Sequence, residues 1–102
     1  MKTKEFDEVI FRKEKGGDIL AVFPYLIADI ENNMTGYAHI GQHGPISYEY
    51  YLTTKRAKSP AEYADLLAEI KQIGYNPKII KKIQRKKYSQ AIQETINKRN
   101  SY

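Results

Sequence analysis

The chain has 102 residues, 41% of them apolar, which suits one domain with one hydrophobic core, since natural domains cluster around roughly 100–150 residues. It has no cysteine, which excludes a disulfide framework, a thiolate nucleophile and a cysteine-ligated zinc site, and fits a reducing compartment. The net charge of +5 is unevenly divided: residues 1–54 carry five Lys/Arg against eight Asp/Glu (net −3), and residues 55–102 carry twelve against four (net +8).

The N-terminus, Met1-Lys2-Thr3-Lys4-Glu5, is charged and leads into no signal-peptide apolar region. Glu8-Val9-Ile10-Phe11-Arg12 is a β-branched and aromatic run and predicts a strand. Lys15-Gly16-Gly17-Asp18 supplies a hairpin turn, because paired glycines accept the positive φ that tight turns need. Ile19-Leu20-Ala21-Val22-Phe23 is the expected partner strand, and Pro24 marks an edge, a bulge or the end of regular pairing. The longest apolar stretch, residues 19–30, is broken by Pro24 and Asp29 and is too short for about 30 Å of hydrocarbon, so no membrane association is expected and the cytoplasm is the default. Asn32-Asn33 makes a second turn, and Thr35-Gly36-Tyr37-Ala38-His39-Ile40 a third strand.

Gly41-Gln42-His43-Gly44-Pro45 is turn chemistry throughout. Ser47-Tyr48-Glu49-Tyr50-Tyr51-Leu52 is read as a short helix or irregular turn, a strand being the alternative. Ser59-Pro60-Ala61-Glu62 is a capping box with proline at the first helical position. Tyr63, Leu66, Leu67, Ile70 and Ile73 follow at helical spacing and Gly74 closes the segment, predicting a helix over 60–73. Residues 78–83 read either as a strand returning to the sheet or as a helix capped by Asn76 and begun by Pro77. The isoleucines favour the strand. Tyr88, Ile92 and Ile96 place a last helix over about 86–98. The expected fold is α+β, ordered β-β-β-α-β-α: an antiparallel sheet of three to four strands, packed on one face by a central helix, with a C-terminal helix. It forms one domain over 1–102, with a core at 8–83 and a basic helical extension at 84–102.

Val9-Ile10-Phe11-Arg12-Lys13, Gly17-Asp18-Ile19-Leu20-Ala21-Val22-Phe23-Pro24, Tyr37-Ala38-His39-Ile40-Gly41-Gln42-His43-Gly44 and Ser59-Pro60-Ala61-Glu62-Tyr63-Ala64-Asp65-Leu66, with Ile73-Gly74-Tyr75, together resemble a group of small uncharacterised bacterial proteins found in bacterial genomes and their mobile elements. The resemblance covers about residues 9–83 and implies a domain to which no activity, and no catalytic residue, is assigned.

Four constellations carry chemical interest. His39 and His43 bracket a glycine-containing turn; as metal ligands they would need a third donor such as Asp29 or Glu31, and H-x3-H outside a metalloprotease-type helix has little specificity. Acid–base or nucleophilic work by His43 beside Ser47, Tyr48 or Tyr37 lacks a nucleophile elbow, a P-loop, a dinucleotide fingerprint or a paired-carboxylate motif, so neither a catalytic residue nor a cofactor is assigned. Lys78, Lys81, Lys82, Arg85, Lys86 and Lys87 put six cations in ten residues, and Tyr88 follows as a base-stacking candidate. His39, Gln42, His43, Tyr48, Tyr50 and Tyr51 form a candidate partner-binding loop, since tyrosine is enriched at interfaces and the chain has nine. The expected function is a small non-enzymatic binding module, first for a protein partner and alternatively for nucleic acid through the basic half.

Overall fold

The computed structural model describes residues 6–39 and 41–100. Residues 1–5, Ile40 at the end of the expected third strand, and residues 101–102 of the expected extension lie outside the described residues.

Strand β1 (Asp7–Lys13) is apolar on both faces: Val9 and Phe11 point one way and Ile10 the other, none more than 2% exposed. Its hairpin to β2 (Ile19–Ile27) closes with the Glu14 N–H donating to the Asp18 carbonyl, and Gly17 takes a φ of +97°. In β2 the register to β3 (Met34–Ala38) shifts between Phe23 and Ile27, so Pro24 sits buried in a bulge within a central strand. The connecting turn is built by Asp29, whose carboxylate accepts from the Glu31 and Asn33 amides and the Asn33 side chain, with Asn32 left-handed at φ 64°.

The glycine- and proline-rich segment expected to be a turn is instead strand β4 (Gln42–Ile46), antiparallel to β3. Pro45 is tolerated there because β4 is the terminal strand of the sheet. Helix α1 (Tyr48–Thr53) follows, the Ser47 hydroxyl accepting from the Tyr50 amide as its N-cap. Lys55 and Arg56 then form β5 (Lys55–Arg56), a strand not anticipated from two cationic residues. Helix α2 (Pro60–Gln72) has the expected capping box between Ser59 and Glu62, and Gly74 follows it at φ +116°. Residues 78–83 are extended only at their start, in β6 (Pro77–Ile79); helix α3 (Arg85–Arg99) closes the described chain.

The fold is α+β, and the described residues form six strands, rather than three or four, and three helices. The order is β4-β3-β2-β1-β5, all antiparallel, while β6 runs parallel to β1 along the edge that β5 also occupies. Helices cover both faces, where one had been expected. On one, Val9, Phe11, Ala21, Phe23 and Tyr37 pack with Leu66 and Ile70 of α2; on the other, Ile10, Leu20, Val22 and Met34 pack with Tyr51, Ile83 and Tyr88. Residues 84–100 therefore contribute to the body: α3 lies on β2, its Tyr88 entering the second layer and donating its hydroxyl to the Asn32 carbonyl.

Gly36 tests how β4 is held. A Cβ there would overlap Ile46 Cγ1 and come within 2.9 Å of Ile46 Cδ1. Gly36→Ala is expected to destabilise the fold by about 1–3 kcal/mol through overpacking. Ile46→Ala should relieve most of that clash, so urea unfolding of the two single variants and the double variant should give a clearly non-additive cycle.

Candidate functional site

The outer edge of β1 gathers cations from segments far apart in sequence. Arg56 and Lys55 pair with Arg12 and Lys13, and the Ala57 amide donates to the Phe11 carbonyl. From the other end, Pro77, Lys78 and Ile79 pair with Asp7, Glu8 and Val9, and the Ile80 amide donates to the Val9 carbonyl. The two strands thus meet nearly end to end against residues 9–11. Between them lies a cleft of about 130 Å³, lined by Phe11, Arg56, Ala57, Lys58, Tyr63, Ile79, Ile80 and Lys81. Phe11 and Tyr63 stack in its wall, their ring planes nearly parallel at 4.4 Å.

Lys55, Arg56, Lys58, Lys78, Lys81 and Lys82 are all exposed, and none forms an ion pair among the described residues. The carboxylates nearest in sequence and register are engaged elsewhere. Glu62 takes Lys13 and the Ser59 amide, which hold it below the usual carboxylate range. Glu8 takes Lys87, and that carboxylate raises the Lys87 ammonium above its ordinary value. The band continues through Lys81 and Lys82 into the first turn of α3, where Arg85, Lys86 and Lys87 follow an N-cap, Gln84, that makes no side-chain capping bond.

The structure separates the residues that the sequence grouped. Of the basic set, Lys78, Lys81, Lys82 and Lys86 form no ion pair among the described residues, Lys87 is engaged by Glu8, and the Arg85 guanidinium lies 5.4 Å over the Tyr48 ring. Tyr88 is half-buried, its ring packed against the second core layer and its hydroxyl donated to the Asn32 carbonyl. The three tyrosines after Ser47 diverge: Tyr51 is buried beneath the Arg12 guanidinium, 4.2 Å from its ring; Tyr48 is half-buried against Tyr51 and Tyr88; only Tyr50 is exposed, donating its hydroxyl to Glu14. Arg12 also donates to the Thr54 hydroxyl and carbonyl, fixing the end of α1 to the sheet. Lys55, Arg56 and Lys58 were missed because they fall outside the lysine-rich run; only pairing with β1 brings them beside it.

His39 and His43 share the α2 side with Tyr37, Glu69 and Tyr75. Tyr37 donates its hydroxyl to Glu69 Oε2 and accepts the Gly41 amide at 2.9 Å, while His39 Nδ1 donates to Glu69 Oε1 at 2.6 Å. His43 packs edge-on against Tyr37, with Nε2 3.0 Å from the Tyr75 hydroxyl. The shallow cleft there, about 320 Å³, is lined by His43, Tyr37, Gly41, Ile73, Gly74 and Tyr75 and does not include His39. Gln42, exposed at the start of β4, borders a different cleft with His39, Glu14, Asp18, Glu62 and Asp65. Asp29 is committed to its own turn, and no group of three or more His, Asp or Glu suited to a metal ion is found among the described residues. The two oxygens of Glu69 thus tie Tyr37 and His39 to α2.

No known protein family, curated protein or solved structure matches the chain.

The tyrosine environments yield a pH dependence. Glu69 and burial hold the Tyr37 phenol above its ordinary 10.0, and burial raises Tyr51, Tyr75 and Tyr88 as well. A phenol raised in the folded state contributes stability that is complete below the unfolded pKa and is lost as pH rises through the folded one. Stability is therefore expected to fall above about pH 10, with tyrosinate absorbance lagging a model tyrosine until near-UV circular dichroism collapses. Titration of all nine tyrosines at the free value, before unfolding, would contradict this.

Proposed function

We propose that the chain is a non-enzymatic module that binds nucleic acid through the basic outer edge of β1, with little dependence on sequence. The supporting observation is the meeting of residues 55–58 and 78–82 at that edge, where Arg56, Lys58 and Lys81 line one cleft and, among the described residues, no carboxylate joins them. The seven residues of β1 span roughly 20 Å at about 3.3 Å per residue, long enough to track several phosphates. Exposed cations along such a line attract a polyanion and release its counterions, giving affinity without base readout. The uncapped start of α3, with three cations and no acid in its first turn, adds to the same demand for negative charge. The half-buried or engaged tyrosines leave a protein partner at the 48–51 segment less surface to dock on.

Fluorescence polarisation with labelled single- and double-stranded oligonucleotides is the test. For four to six phosphates contacted on a single strand, log K should fall with log salt with a slope of about −3 to −4. Reversing Lys55, Arg56, Lys81 and Lys82 to Glu should abolish binding while leaving the thermal midpoint near wild type, because all four side chains are exposed. No binding at low salt would sink the proposal.

A further inference from the structure

We infer that the cleft between β5 and β6 is a seat for a single phosphate group, held by Arg56, Lys58 and Lys81. The inference rests on the nucleic-acid reading and sharpens it: one backbone or terminal phosphate is held at a defined place, while the surrounding cations act as a diffuse field. The volume of about 130 Å³ is enough to admit one tetrahedral oxyanion. Cations come from two directions, Arg56 and Lys58 from the segment leaving β5 and Lys81 from the segment leaving β6, so a bound anion is flanked from both sides. Among the described residues no carboxylate lines the cleft to compete, and none of the three cations is in an ion pair.

The wall chemistry favours an oxyanion with strong charge. Phe11 and the stacked Tyr63 ring exclude water from one side, which strengthens a charge-assisted hydrogen bond relative to open solvent. Arg56 can give two parallel N–H donors, a fork that suits phosphate oxygens, while the lysines serve as point charges. The backbone on either side is tied to β1 through the Ala57 and Ile80 amides, so the cations are carried on a fixed frame.

The experiment is an amide NMR titration of the full chain with inorganic phosphate, and with acetate, at constant ionic strength. Saturable shifts at Phe11, Ala57, Tyr63 and Ile80 with phosphate, and much weaker ones with acetate, are expected. Arg56→Gln and Lys81→Gln should each weaken phosphate binding about tenfold, and Lys78→Gln, outside the cleft, less than about threefold. Equal shifts with acetate, or equal losses from Lys78→Gln and Lys81→Gln, would overturn the seat even if oligonucleotides bind with steep salt dependence. Saturable phosphate binding without oligonucleotide binding would instead support the seat and remove the nucleic-acid reading.

Discussion

The molecule is organised around the outer edge of β1. Strand β1 is buried on both faces and paired with β2 along one side, so its other side would expose a row of unpaired amides and carbonyls. Two short strands cover that row, β5 antiparallel and β6 parallel, delivered by segments more than twenty positions apart in the chain. Their brevity keeps them from presenting a long new edge, and their lysines and arginine discourage a second chain from adding to it. The same solution concentrates positive charge on one line of the surface. The edge-protecting residues are thus among those proposed to bind a polyanion, and Arg56 lines one cleft with Lys58 and Lys81.

Burial of both faces of the sheet sets where the rest of the chain goes. Val9-Ile10-Phe11 and Leu20-Ala21-Val22-Phe23 are continuous apolar runs, so each face needs a cover. Helix α2 supplies one with Leu66 and Ile70. The other is shared by α1, through Tyr51, and by the loop and helix at 80–88, through Ile80, Ile83 and Tyr88. Docking of Tyr88 and the bonding of the Gln84 amide to the Tyr25 hydroxyl fix the first turn of α3 beside the sheet. Cations at 85–87 are therefore held in place, and against the helix dipole, which disfavours them by roughly 0.3–1 kcal/mol each at an exposed helix start.

What was legible in the sequence is what short-range chemistry decides. The Ser59–Glu62 capping box, the Gly16-Gly17 turn and Gly74 each act within a few residues, and each element they define appears where expected. Pairing decided the rest. Gln42–Ile46 carries two turn-forming residues, yet it becomes a strand paired along β3, where Gly36 leaves room for the Ile46 side chain. Lys55–Arg56 has no strand signal of its own and is extended only because β1 needs a partner. The one-sided sheet was the least justified expectation, since unbroken apolar runs in two adjacent strands already signal burial on both faces. Candidate site residues followed the same division: the 78–87 charge run was visible, its complement at 55–58 and the inward turn of Tyr88 were not.

The charge asymmetry along the chain becomes an asymmetry in space. The acidic half contributes Glu14 and Asp18 to a cleft that α2 completes with Glu62 and Asp65, bordered by His39 and Gln42. That cleft is lined by these four carboxylates, Glu62 being held by Lys13, and is opposite in sign to the cation-bearing outer edge of β1. A flexible, highly charged strand approaching such a surface is steered toward one line and away from another before any close contact forms. Steering of this kind sets where a ligand lies without reading its sequence. Setting the register of such a strand takes a site with fixed walls, and at the junction of β5 and β6 cations from both segments line one cleft.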